Sequence, residues 1–191
     1  MQTLPLASVS NLSLSPELPT AANLRACAFR YMLRGSVAAG AALGQYTLEH
    51  VGFAAPWLTW VVLMPTMAMV ISIRDRQQRK AGLVPTTATD KWMGLLQKSF
   101  VLVIVLALVA APFIGWQHAH PLMLVMYGAS TLAAGRLLSF RPLQLGGVLC
   151  ALLGAVAAAV PADTQLLLIA AAMLVSYLVP GYLLHIRNRA A

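Results

Sequence analysis

Residues 100–111 read FVLVIVLALVAA, from Phe100 to Ala111, without a single polar side chain. A helix that is apolar all the way round is stable only inside a protein core or in lipid. The surrounding segment Ser99–Gly115 is about as short as a membrane crossing can be, since a span needs roughly 17–25 mostly apolar residues. Working outward from it, five more segments of similar character appear: Tyr31–Leu48, Trp57–Ile73, Pro121–Leu138, Leu143–Val160 and Gln165–Leu184. The pattern predicts an all-α fold, a polytopic transmembrane helical bundle of six spans. The first span is the least apolar, because it carries Arg34, Gln45 and several glycines. A five-span arrangement would omit it.

Composition agrees with that pattern. Of 191 residues, 60% are hydrophobic and 9% are charged, and the mean hydropathy is +0.77. A soluble domain is roughly 45–50% apolar and about 25% charged. So little polarity cannot cover a water-soluble globule of this size. A soluble enzyme, a secreted disulfide scaffold and a disordered chain are excluded. Cys27 and Cys150 form no metal-binding or disulfide spacing.

The formal charge of +8 would suggest nucleic acid in a soluble chain. In a membrane chain it follows from the collection of Lys and Arg in cytoplasmic loops, so no nucleic-acid partner is expected. Arg25, Arg30 and Arg34 lie before or just inside the first span. Arg74, Arg76, Arg79, Lys80, Lys91 and Lys98 follow the second, Arg136 and Arg141 the fourth, and Arg187 and Arg189 the sixth. Six spans therefore place all 13 Lys and Arg on one side, with Glu49 and Asp163 facing the other. Both termini are expected to be cytoplasmic.

Residues 1–24 have neither the positive start nor the apolar stretch of a cleaved signal, and are expected to be a cytoplasmic tail. Residues 25–189 form the transmembrane domain, with a basic cytoplasmic loop at 74–98. Asp90 could cap a short amphipathic helix running into Trp92 and Leu95. The simpler expectation is a basic loop lying against anionic headgroups.

Small residues recur at helix-packing intervals: Gly40 and Gly44, Gly147, Ala151 and Ala155, Gly146, Cys150 and Gly154, and Thr131 and Gly135. In lipid, small residues let backbones approach closely, and these are expected to pack the bundle's own helices. A homo-oligomer through Gly40 and Gly44 is the alternative. Pro65, Pro112 and Pro180 should kink spans two, three and six. The last two would correspond in a 3+3 inverted repeat, a pattern that can mark a transporter site. No acidic or basic group is expected near the bilayer centre, where such groups usually mark ion pathways. Gln45, Tyr46, Thr66 and Tyr177 are the polar candidates within or near the spans.

His118 and His120 make an HxH beside Trp116, and Glu49, His50 and Asp163 occupy the other outer loops. Imidazole and carboxylate suit zinc, copper or nickel, which makes these five residues an outer-face candidate metal cluster. The commoner origin of such residues is that interfacial helix ends attract His and Trp. No nucleophile–base pair, phosphate loop, nucleotide motif or HExxH occurs, so neither enzymatic activity nor a cofactor is expected.

Tyr127–Ala155 reads YGASTLAAGRLLSFRPLQLGGVLCALLGA and Gln165–Arg187 reads QLLLIAAAMLVSYLVPGYLLHIR. These stretches resemble a family of small bacterial polytopic membrane proteins that carry a "YG…T…G…F+PL..GG" stretch. Members end in a "QLLL…Y(I/V)PGYLL" helix followed by basic residues. The opening YMLRGSVAAGAALGQYTL is similar to that family's "YLLWGW", with Arg34 and Ser36 at the tryptophan positions. The resemblance covers about two thirds of the chain. It implies a multi-pass protein of the bacterial cytoplasmic membrane, and it makes Gly135, Phe140, Arg141, Pro142, Gly146, Gly147, Pro180 and Gly181 motif positions of turn and packing type. No activity is assigned to the family.

The expected function is therefore that of a non-enzymatic sensor or assembly subunit acting through partners, which would be the bilayer itself and a protein at the cytoplasmic loop. The alternative is a small oligomeric transporter or channel for an uncharged or lipidic solute.

Overall fold

A computed structural model describes residues 21–82 and 88–187. They form six helices, with no strand among them: α1 Ala21–His50, α2 Leu58–Lys80, α3 Ala88–Ile114, α4 Trp116–Leu137, α5 Arg141–Ala157 and α6 Ala162–Arg187. The fold is all-α. Among the described residues, α2 and α6 are long and apolar enough to cross a membrane, and α5 is a shorter apolar helix.

Three expectations of local structure change. Ala21–Leu24, assigned to the tail, already belong to α1, while residues 1–20 lie outside the described residues, as does Arg189. The basic loop at 74–98 is largely helical: α2 runs on to Lys80, and α3 begins at Ala88, continuous with the apolar stretch at 100–111. The turn bearing Trp92 and Leu95 is thus the start of a long helix rather than a separate short one. His118 and His120 lie within α4, and Glu49, His50 and Asp163 lie in terminal turns of α1 and α6, so none of the five sits in a loop.

The core lies between α1, α4, α5 and α6. Ala28, Ala42, Leu124, Leu143, Cys150, Ala157, Leu166, Ala172 and Met173 are all buried there. Most are small, and small residues are what let these helices meet closely. A Cβ added at Gly147 would lie 2.5 Å from the Leu132 amide nitrogen, and one at Gly128 would lie 2.6 Å from the Gly147 carbonyl oxygen. Gly135 faces the Gln144 backbone, Gly146 the Ser176 carbonyl and Gly181 the Met32 side chain and backbone. The four motif glycines therefore sit where helices cross. Arg141 and Pro142 open α5, whose first turn tolerates a proline because its N–H groups have no helical acceptor. The preceding turn closes with the Phe140 N–H donating to the Gly135 carbonyl at 2.9 Å, with Ser139 left-handed at φ 49°.

α2 and α3 lie outside this core, α2 packed on α1 and α3 on α4. Only 6% of α2's apolar window is buried, against 50% for α6, so α2 presents its apolar side chains outward. Its three hydroxyls all donate to backbone carbonyls: Thr66 to Val62 and Ser72 to Ala68 within the helix, both at 2.7 Å, and Thr59 to Pro56 just before it and to Ala41 of α1. α1 and α2 are clasped at both ends. At one end Trp60 donates to Gln45, which donates to Glu49. At the other, Arg30 pairs with Asp75 at 2.9 Å and Arg74 stacks on Phe29. Gly44 receives Thr59 of α2, while Gly40 opens onto no neighbour.

Candidate functional site

The expected outer-face cluster divides into separate local contacts. His50 stacks on Tyr46 with ring centroids 4.2 Å apart, and its Nδ1 meets the Tyr46 carbonyl. Glu49 accepts from Gln45. His120 instead joins a polar knot built around Gln165, which is 2% exposed. Pro121 lies in α4 and has no N–H, so the Gln117 carbonyl four residues earlier has no helical donor. The Gln165 side-chain amide supplies it at 3.1 Å and donates also to the Val160 carbonyl at 3.1 Å. With both amide protons so used, Gln165 Oε1 faces His120 Nδ1 at 3.2 Å, which then carries the proton. His120 precedes the expected fourth span. Burial pushes its pKa down, and the Gln165 bond and the Glu49 carboxylate offset this in part. No three His, Cys, Asp or Glu side chains stand close enough to hold a metal ion among the described residues. Of the five candidate ligands, Glu49, His50 and His120 are held in these contacts, and His118 and Asp163 are exposed.

A second cluster lies deeper, where α1, α3, α4 and α6 converge. Its pieces follow from helical periodicity. Tyr31 and Arg34 are one turn apart on α1, and Met93, Leu96, Gln97 and Phe100 share one face of α3. Tyr127, Ser130 and Ala134 share one face of α4. Tyr177 comes from α6, within a π-helical turn at Leu174–Leu178 in which the Val179 N–H reaches back to the Leu174 carbonyl. Pro180 follows, and it has no N–H to give to the preceding turn. Consecutive Ser176 and Tyr177 are both buried in this turn.

These ten residues enclose a cavity of about 30 Å³. Its wall is a file of rings: Phe100 edge-on to Tyr127 at 4.8 Å, Tyr127 edge-on to Tyr177 at 6.0 Å, and Tyr177 beside Tyr31 at 5.6 Å. The Tyr177 hydroxyl donates to the Tyr127 carbonyl at 3.3 Å, an acceptor that Thr131 also uses. Arg34 is half-buried and lines the same cavity as the three phenols. Apart from Tyr177, the polar lining groups have no side-chain hydrogen bond among the described residues. The lining holds a cation and several donors, no carboxylate and no nucleophile–base pair, which is chemistry for holding an acceptor-rich group.

Of this cluster, the sequence singles out only Tyr177, as a polar span residue, and Arg34, as the charge that weakens the first span. Tyr31, Gln97, Tyr127 and Ser130 carry no signal of their own. The usable clue is Arg34 one turn after Tyr31 within an apolar window, since an ionisable residue in a span is a site candidate by default. Comparison with known proteins finds no family model, curated protein or solved structure that matches this chain.

Proposed function

We propose that the chain is a multi-pass protein of the bacterial cytoplasmic membrane, with six spans and both termini inside, that works by holding partners rather than by catalysis: a sensor or assembly subunit. The observation that carries this reading is α2. Among the described residues it packs mainly on α1, exposes Val61, Val62, Met69, Val70 and Ile73, and turns Thr66 and Ser72 onto its own backbone. Such a surface suits lipid or another apolar helix, because a hydroxyl in hydrocarbon must find its partner within the protein. The segregation of all 13 Lys and Arg supports the span number and the orientation. The bacterial compartment is proposed from the sequence resemblance of residues 127–155 and 165–187 alone. The basic ends of α2 and α3 are the surface offered to a cytoplasmic protein.

Affinity purification of the full chain from native membranes in mild detergent, with mass determination in line, tests the subunit reading. A stoichiometric second protein is expected, and a lone chain or a homo-oligomer carrying only lipid would overturn it. Alkaline carbonate washing tests the membrane reading, which fails if the chain is released.

A further inference from the structure

We propose that the cavity between α1, α3, α4 and α6 binds a phosphate group, presented either by the headgroup of an inner-leaflet phospholipid or by a free phosphate. The argument begins with Arg34. One turn earlier, Arg30 has Asp75 as its counter-ion at 2.9 Å. Arg34 has none among the described residues, although it lines a cavity walled by aromatic and aliphatic side chains. An unpaired charge in such surroundings is costly, and structures resolve the cost with a partner of opposite sign. A guanidinium presents a planar fork of donors that matches two oxygens of a phosphate.

The remaining polar groups point to the same ligand. Tyr31, Gln97, Tyr127 and Ser130 line the cavity with Arg34, and each has a side-chain group that can donate. With no carboxylate in the lining, a cation would find no counter-charge there. About 30 Å³ holds roughly two water-sized groups, which suits a compact anion and is too small for a nucleotide base or a sugar. The α3 residues of the lining come from its first four turns, the part that follows the basic cytoplasmic segment, so the cavity belongs to the half of the bundle where inner-leaflet headgroups lie. That placement rests on the membrane reading above, whereas the donor set does not.

The test uses the full chain in detergent with three probes: dioctanoyl-phosphatidylglycerol, dioctanoylglycerol, which lacks the phosphate, and sodium phosphate. Native mass spectrometry should show the phospholipid bound about tenfold or more tightly than the diacylglycerol. R34Q should abolish that preference, and R30Q, which removes a neighbouring charge outside the cavity, should keep it. Competition by sodium phosphate would identify free phosphate as a ligand in its own right. Retention of the phospholipid against it would identify the headgroup. Should R34Q fail to fold, Q97L keeps the charge and removes one donor, and a threefold or greater weakening of phospholipid binding is expected. The proposal is overturned if wild type does not distinguish the two lipids, or if R34Q, or Q97L where R34Q does not fold, binds as wild type does. A chain that washes off membranes with carbonate yet still prefers the phospholipid in detergent would lose the membrane reading and keep the site.

Discussion

A methyl group added at Gly147 would stand 2.5 Å from the Leu132 amide nitrogen and 2.8 Å from the Gly128 carbonyl oxygen, both backbone atoms that can yield only if α4 moves. Gly147→Ala should therefore cost about 1–3 kcal/mol, the usual range for overpacking. At Gly40, inside α1, an added methyl meets nothing within 4 Å. Gly40→Ala should be neutral or stabilise by up to about 1 kcal/mol, because alanine loses less backbone freedom in a helix. Thermal unfolding in detergent, followed by circular dichroism, separates the two, and a Gly147→Ala as stable as wild type would refute the close approach. Both positions belong to small-residue repeats that read alike in the sequence. Spacing tells which residues share a face but not whether another helix lies against it. His120 offers a second handle. Its folded pKa lies below the ordinary imidazole value because of burial, so the unfolded chain binds the extra proton first. The associated stability is complete above about pH 6.5 and is lost as pH falls through the folded value. His120→Gln should remove that acid-side loss. A melting temperature that falls just as steeply between pH 7 and pH 5 in the variant would show that His120 does not contribute.

Helix α4 carries a proline in its second turn and remains a helix because α6 supplies the missing donor. The exchange between Pro121, the Gln117 carbonyl and Gln165 is a bond between elements doing the task of one within an element. Gln165→Leu should cost about 1–3 kcal/mol, the penalty for leaving buried carbonyls unmet. Pro121→Ala returns an N–H to α4, so combining it with Gln165→Leu should recover part of that loss. A double-mutant cycle measures the coupling, and strictly additive losses would mean that the two residues act separately. This exchange also marks the limit of what the sequence tells about the helices. Their number and approximate places follow from hydropathy, because apolar runs of span length have few alternatives. The boundaries differ where polar residues continue a helix: charges at 74–80 and 91–98 read as loop, whereas α2 and α3 run through them. The Arg34 cavity was hidden for a related reason. Its lining comes from four helices, with Gln97 on a stretch assigned to the loop, and no local window contains a convergence of that kind.

For the entire chain, orientation depends on a distribution rather than on any one contact. The core of α1, α4, α5 and α6 is held by close helix crossings, while among the described residues α2 is attached mainly through α1. α2 is therefore the helix whose placement should depend most on its flanking charges. Its C-terminal end carries Arg74, Arg76, Arg79 and Lys80. The Arg30–Asp75 pair that also anchors this end is partly exposed, so it contributes no more than about 1 kcal/mol. The four cations are the stronger constraint in the six-span arrangement, since the bias of Lys and Arg near span ends sets the side on which a loop remains. The native Cys27 and Cys150 are buried, and with both replaced by serine a single cysteine reports its own side. In whole cells a membrane-impermeant maleimide should label cysteine variants of His118 and Asp163 and spare one at Gln77. Changing Arg74, Arg76, Arg79 and Lys80 together to glutamine should make the position-77 cysteine partly reactive from outside while leaving His118 and Asp163 reactive, because α4–α6 retain their own basic ends. Complete protection at position 77 in that variant would show that α2 is held by packing and not by charge. Labelling at position 77 in the parent chain would put the basic segment outside, and the six-span arrangement with cytoplasmic termini would fall.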